Sequence, residues 1–135
     1  MDFDTKIAVA IKEDLAVWQK LNVTAFTVSG IASIEGVIGN NYEDGSGNVY
    51  LPMIIQPIMI FSANRDQLRQ VYNYALEHKF LFSIYIEELF LTPNDEENRD
   101  AVKAVKSEDL KLVGIAIRGY QKLVNKALKG LSLHS

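Results

Sequence analysis

The run Ile7-Ala8-Val9-Ala10-Ile11, held between Lys6 and Lys12, has no polar residue on either side of an extended chain. Successive strand side chains point to opposite faces, so Ile7, Val9 and Ile11 share one face, Ala8 and Ala10 the other, and neither face can be left in water. Such a strand is central and covered on both sides, with the alanines admitting a helix closely on theirs. Two further stretches read the same way. Leu81 to Ile86 is almost wholly apolar and stops at Glu87-Glu88, and Leu112 to Ile117 carries Gly114 and Ala116 on one small face.

The segments between them change period. Trp18, Leu21, Ala25, Val28 and Ala32 recur at spacings of three and four, which predicts a helix over 17–34 with that stripe against the sheet. Asn64 with Gln67 makes a capping box ahead of a stripe of Leu68, Val71, Tyr72, Ala75 and Leu76, ending near His78. Thr92-Pro93 is read as the cap and first-turn proline of an acidic-fronted helix over 94–105. A closing helix carries Leu123, Val124, Ala127, Leu128 and Leu131, with Gly130 as its terminating glycine. Short strands are expected at Asn48 to Leu51 and Ile58 to Phe61, with Pro57 confining the latter to an edge or a start after a bulge. Strands alternating with helices predict one α/β domain over 1–135, a three-layer α/β/α arrangement around a mostly parallel mixed sheet of about four main strands.

Composition narrows the chemistry. The 135 residues carry 14 Lys and Arg against 17 Asp and Glu, a net charge of −3, which gives no broad basic field for a nucleic-acid backbone. With no cysteine, a disulfide framework, a thiolate zinc site and a cysteine nucleophile are all ruled out. Pro52 and Pro57 interrupt the longest uncharged stretch, so no membrane-spanning helix is expected. The acidic start Met1-Asp2-Phe3-Asp4 leads into nothing like a secretory signal, which favours the cytoplasm.

In α/β sheets the crevice beyond the carboxyl ends of the strands is the default ligand site. Glu87 and Glu88 leave a buried strand there, and adjacent carboxylates can supply a general acid or base; equally, one can be a rim charge and the other a partner for Lys20. Lys20 and Asn22, in the first turns of the first helix, could hold an anion or a carbonyl, or serve only as surface polarity. Lys20, Asn22, Glu87 and Glu88 are therefore the candidate ligand-binding residues, with Lys20 and Glu87 the candidates for catalysis. Asp44, Ser46 and Asn48 alternate oxygen atoms as in a calcium loop but lack its distant glutamate, and a hairpin turn fits them better. His78 and His134 are too far apart for a histidine metal site, with His134 in a loose tail. No metal or cofactor is expected.

The segments Lys12-Glu13-Asp14-Leu15 with Trp18 to Phe26, Tyr50-Leu51-Pro52-Met53, Tyr85-Ile86-Glu87-Glu88-Leu89-Phe90, and Val113 to Gly119 together resemble the bacterial domain-of-unknown-function two-thousand family. The likeness runs from Lys6 to His134. That family is similar to type II peptidyl-tRNA hydrolases, most clearly at Leu112 to Leu133, and the resemblance implies their fold of a four-stranded mixed sheet between helix layers. Lys20 and Glu87 are the positional counterparts of the hydrolase site residues, although no glycine precedes Lys20 and Glu87-Glu88-Leu89-Phe90 lacks the hydrolases' glycine and glutamine.

The expected function is therefore binding of a small molecule or a protein partner in a cleft beside Lys20 and Glu87. The alternative is hydrolysis of an aminoacyl or peptidyl ester. Because Lys20 is the only charge between positions 17 and 34, the first helix is also expected to form a contact between like subunits.

Overall fold

The computed structural model describes residues 3–135, so the acidic start at Met1 and Asp2 lies outside the described residues. In chain order the elements are β1 (Thr5–Lys12), α1 (Val17–Ala32), β2 (Tyr42–Glu43), β3 (Val49–Tyr50), β4 (Ile58–Ala63), α2 (Arg65–Glu77), β5 (Leu81–Ile86), α3 (Asp95–Lys103), β6 (Leu112–Tyr120), α4 (Gln121–Ala127) and β7 (Ser132–Leu133). A 3-10 turn over Glu87–Leu91 follows β5, and another over Ser107–Asp109 precedes β6.

The chain is a mixed α/β structure whose five-stranded sheet has the order β5-β6-β1-β4-β7. The expectation of a mostly parallel sheet is corrected: β1–β4 is the one parallel pair among the described strands, and β1–β6, β5–β6 and β4–β7 are antiparallel. The reason lies in the connection after β5. The chain from Glu87 through α3 returns to the end of the sheet it has just left, where the Glu87 amide donates to the Lys111 carbonyl at 3.0 Å. From there β6 can only run back alongside β5. β1, β4 and β5 nevertheless point the same way, so their carboxyl ends share one end of the sheet.

Large and small side chains interlock across neighbouring strands. On one face Ile7, Val9 and Ile11 of β1 stand beside Arg118, Ala116 and Gly114 of β6; on the other, Ala8 and Ala10 stand beside Ile117 and Ile115. The first face buries Ile31 of α1 and Val37 against Ile7, Val9 and Ile11. The second buries Leu68, Val71 and Ala75 of α2 together with Val124 and Ala127 of α4. Helices α2 and α4 pack over the alanine side of β1, and α1 approaches closely over β6. Gly114 faces α1, where an added β-carbon would stand 2.1 Å from Val23 Cγ1, and Ser83 Oγ donates to the Thr27 carbonyl at 2.5 Å.

The stripe assigned to α1 is also corrected. Val23, Thr27 and Ile31 are its buried residues, whereas Trp18 and Leu21 are 57% and 67% exposed. Thr27 is admitted to the core because its hydroxyl donates to the Val23 carbonyl one turn back, at 2.7 Å, and so presents its methyl group outward.

At α2 the capping box forms as read: Gln67 N donates to Asn64 Oδ1 at 2.8 Å, and Asn64 N donates to Gln67 Oε1 at 2.9 Å. The cap of α3 moves two residues, to Asn94, whose side chain accepts from the Glu97 amide. Pro57 directly precedes β4, which is interior to the sheet, so a start and not an edge is its position. The tail holding His134 is not loose. β7 pairs with β4, and the His134 amide donates to the Ile60 carbonyl at 2.9 Å. No helix among the described residues is long and apolar enough to cross a membrane.

Candidate functional site

Lys12 ends β1, Arg65 opens α2 just past the end of β4, and Glu87 leaves β5; these sequence-distant residues meet because the three strands finish at one end of the sheet. Together with the 3-10 turn ahead of β6 they enclose a cleft of about 760 Å³. Its walls carry both signs of charge. Lys12 Nζ reaches Asp14 Oδ1 at 2.5 Å, and that hydrogen bond holds the Asp14 carboxyl below the ordinary carboxylate range, with the Lys12 and Lys20 charges acting in the same sense. Arg69, on the first turns of α2, is committed to structure: Nη1 and Nη2 donate to the Ser107 and Leu110 carbonyls at 2.9 and 2.8 Å, and the guanidinium lies 5.0 Å from the Tyr72 ring centroid. These contacts fix the turn that forms one wall.

Arg65 and Lys111, by contrast, have no carboxylate within ion-pair distance among the described residues, and Glu87 has no cation. Opposite charges thus line one cavity without neutralising each other. A group that reached across it could satisfy both, since unpaired charges in a concave site attract complementary ligand charges.

The four residues singled out from sequence do not converge. Glu87 is exposed on the cleft wall. Glu88, its neighbour in the 3-10 turn, is half-buried, and its Oε1 is shielded from solvent without a hydrogen-bond partner among the described residues. Lys20 is half-buried, with Nζ 3.2 Å from Nε2 of His134, which follows β7. Asn22 is exposed on α1. Lys20 therefore does not line the cleft with Glu87: its amine is turned to His134, and only its charge is felt at Asp14 on the cleft wall. Gln19, one position earlier, is the residue of α1 that reaches the cleft.

Arg65 and Arg69 were not singled out, although the signal was present. They directly follow the cap at Asn64, so the reasoning that placed Glu87 beyond the end of β5 places them beyond the end of β4. At Asp44 the hairpin reading holds. The carboxylate accepts from the Ser46 and Asn48 amides, from Asn48 Nδ2 and from the Tyr50 hydroxyl, which saturates it inside the turn. Among the described residues no group of three or more acidic or histidine side chains is placed to hold a metal ion.

Comparison with known proteins adds the ancestry. The model of a protein of unknown function, DUF2000, matches residues 5–135. A solved structure, the protein of unknown function Atu0240 from Agrobacterium tumefaciens strain C58, is 47% identical with a TM-score of 0.94, over 99% of this chain and 100% of that one. No curated protein matches the chain significantly. With a family model spanning all the regular structure from β1 to β7, and a near-superimposable relative of equal extent, the chain belongs to the DUF2000 family of proteins of unknown function.

Proposed function

We infer that the protein is a cytoplasmic binding domain of three-layer α/β/α, peptidyl-tRNA hydrolase II-like architecture, and that its cleft receives a small molecule bearing both a positive and a negative group. The layering is supported by burial of α1 against one face of the sheet and of α2 and α4 against the other. The ligand reading is carried by one observation: Arg65, Lys111 and Glu87 line a single cavity of about 760 Å³, and among the described residues none of the three has an ion-pair partner. That volume lies in the range of small-molecule sites. A purely anionic ligand would be repelled by Glu87, and a purely cationic one by Arg65. An amino acid or short peptide, carrying an ammonium and a carboxylate, meets both.

The test is a thermal-shift screen with free amino acids and dipeptides, with simple phosphates and amines as single-charge controls. Ligand that binds only the native state raises its stability by about 2.7 kcal/mol at a hundredfold excess over Kd. The expected outcome is stabilisation by at least one zwitterion that disappears in Glu87→Gln and in Arg65→Met, both of which keep their fold. A response to phosphates alone, undiminished in Glu87→Gln, defeats the reading. Turnover of an aminoacyl ester abolished by Lys20→Ala would replace it with the hydrolase alternative.

A further inference from the structure

Between α1 and β4 the chain runs out and back as a hairpin arm over residues 38–55. Its stem is laddered by the Gly39 amide to the Met53 carbonyl and the Ile55 amide to the Val37 carbonyl, each at 3.0 Å. Beyond that stem almost nothing of its own chain covers it. Leu51 is 85% exposed, and Val49, Tyr50 and Met53 each expose more than half of their surface. Both sides of the ribbon are bare. Tyr42 stands opposite Tyr50 on one side, and Glu43 opposite Val49 on the other. A lone two-stranded ribbon is marginal in water, and one with apolar side chains on both faces has even less reason to stand free.

The same face of the sheet carries a second uncovered surface. Val17, Trp18, Leu21 and Phe26 of α1 are each more than half exposed, even though one edge of Trp18 meets Phe90 and one of Phe26 meets Tyr85. The arm and the helix are neighbours, since Val37 and Ile54 at the base of the arm pack in one cluster with Ile31 of α1.

We propose that two copies of this chain pair about a twofold axis, each laying its arm across the outer face of the partner's α1. Each copy brings one donor and one acceptor surface, so a twofold arrangement covers all four and then stops. The extent fits. Eight apolar side chains of arm and helix each expose more than half of their surface, whereas the exposed apolar residues of an ordinary monomer are scattered singly, and a stable interface needs about 800 Å² covered per partner.

Charge selects the occupant. Residues 36–57 contain two charges, Glu43 and Asp44, and no cation, and Asp44 is taken up by its own turn. An anionic lipid surface or a nucleic acid would find nothing to hold, whereas the charge-free outer face of α1 costs no ionic desolvation when an apolar ribbon covers it.

Sedimentation of the full chain from about 1 to about 100 μM tests the proposal, a span that brackets micromolar association. The expected species is twice the chain mass. Leu51→Asp on the arm and Leu21→Asp on the helix should each weaken association about a hundredfold or more, as charge at the centre of an interface does, with far-UV circular dichroism unchanged. Because the chain has no cysteine, Leu51→Cys carrying an environment-sensitive fluorophore reports burial of the arm independently of the charged variants. Its emission should shift with concentration in parallel with the mass.

A monomer throughout the range overturns the proposal. So does a dimer that Leu21→Asp dissociates and Leu51→Asp leaves intact, since the helices would then pair without the arms. A monomer that binds phosphatidylglycerol vesicles through the arm would assign the surface to a membrane instead.

Discussion

Gly114 carries a hydrogen where a β-carbon would collide with Val23 Cγ1. The neighbouring atom belongs to a β-branched side chain locked by the helix, so it cannot swing aside, and α1 would have to lift from β6. Gly114→Ala should therefore destabilise the fold by about 1–3 kcal/mol in urea unfolding, the usual cost of overpacking a tight core. Val23→Ala in the same chain should return part of that loss, and a double-mutant cycle reads the coupling. Asp44 gives a different single-residue prediction. The hydrogen bond from the Tyr50 hydroxyl, aided by those from Asn48 and the Ser46 amide, lowers its pKa from 3.8 to about 2. Its folded value lies below its unfolded one, so the carboxylate's contribution is fully present above pH 3.8 and is lost as the pH falls through about 2. Amide exchange at Ser46 and Asn48 should quicken over that window while the amides of β1 stay protected.

Among the elements, α2 is anchored at two levels. Asn64→Ala removes the cap acceptor and should cost about 1 kcal/mol by thermal unfolding. Arg69→Met strips two charge-assisted bonds from the Ser107 and Leu110 carbonyls and should cost about 1.5–3 kcal/mol, with loss of ligand response because the cleft wall goes with it. α2 was legible from sequence because its apolar stripe is backed by a charged face: Arg65, Asp66, Arg69 and Glu77 leave only one side able to face inward. α1 was not. Its circumference offers two apolar stripes, and spacing alone cannot say which one the sheet takes when Thr27 turns its hydroxyl back onto its own helix. The same limit hid the cleft residues. Glu87 stood out because an apolar run ends at it abruptly, while Lys20 drew attention through being a lone charge, although its amine reaches across to His134. β7 is two residues long and has no periodicity to read.

At the scale of the whole molecule, the sequence indicated which segments are strands but not how they lie beside one another, because direction is set by where connections return. β1 and β6 form the middle of the sheet, and their Ala8, Val9, Ile115 and Ala116 are all buried. Amides of these two strands should exchange only through global unfolding, and those of the arm at the rate of local opening, which native-state hydrogen exchange distinguishes directly. The pairing of Ala10 with Ile115 also has a consequence during synthesis. β1 is made before the other strands of its sheet, is apolar on both faces, and has its central neighbour a hundred or so residues downstream. At about 5–20 residues per second, the ribosome leaves that strand without β6 for roughly 5–20 s. The nascent chain therefore passes through a stage in which its stickiest segment is complete and its proper cover has not yet been made, and chaperones that shield extended apolar segments have a defined interval in which to act.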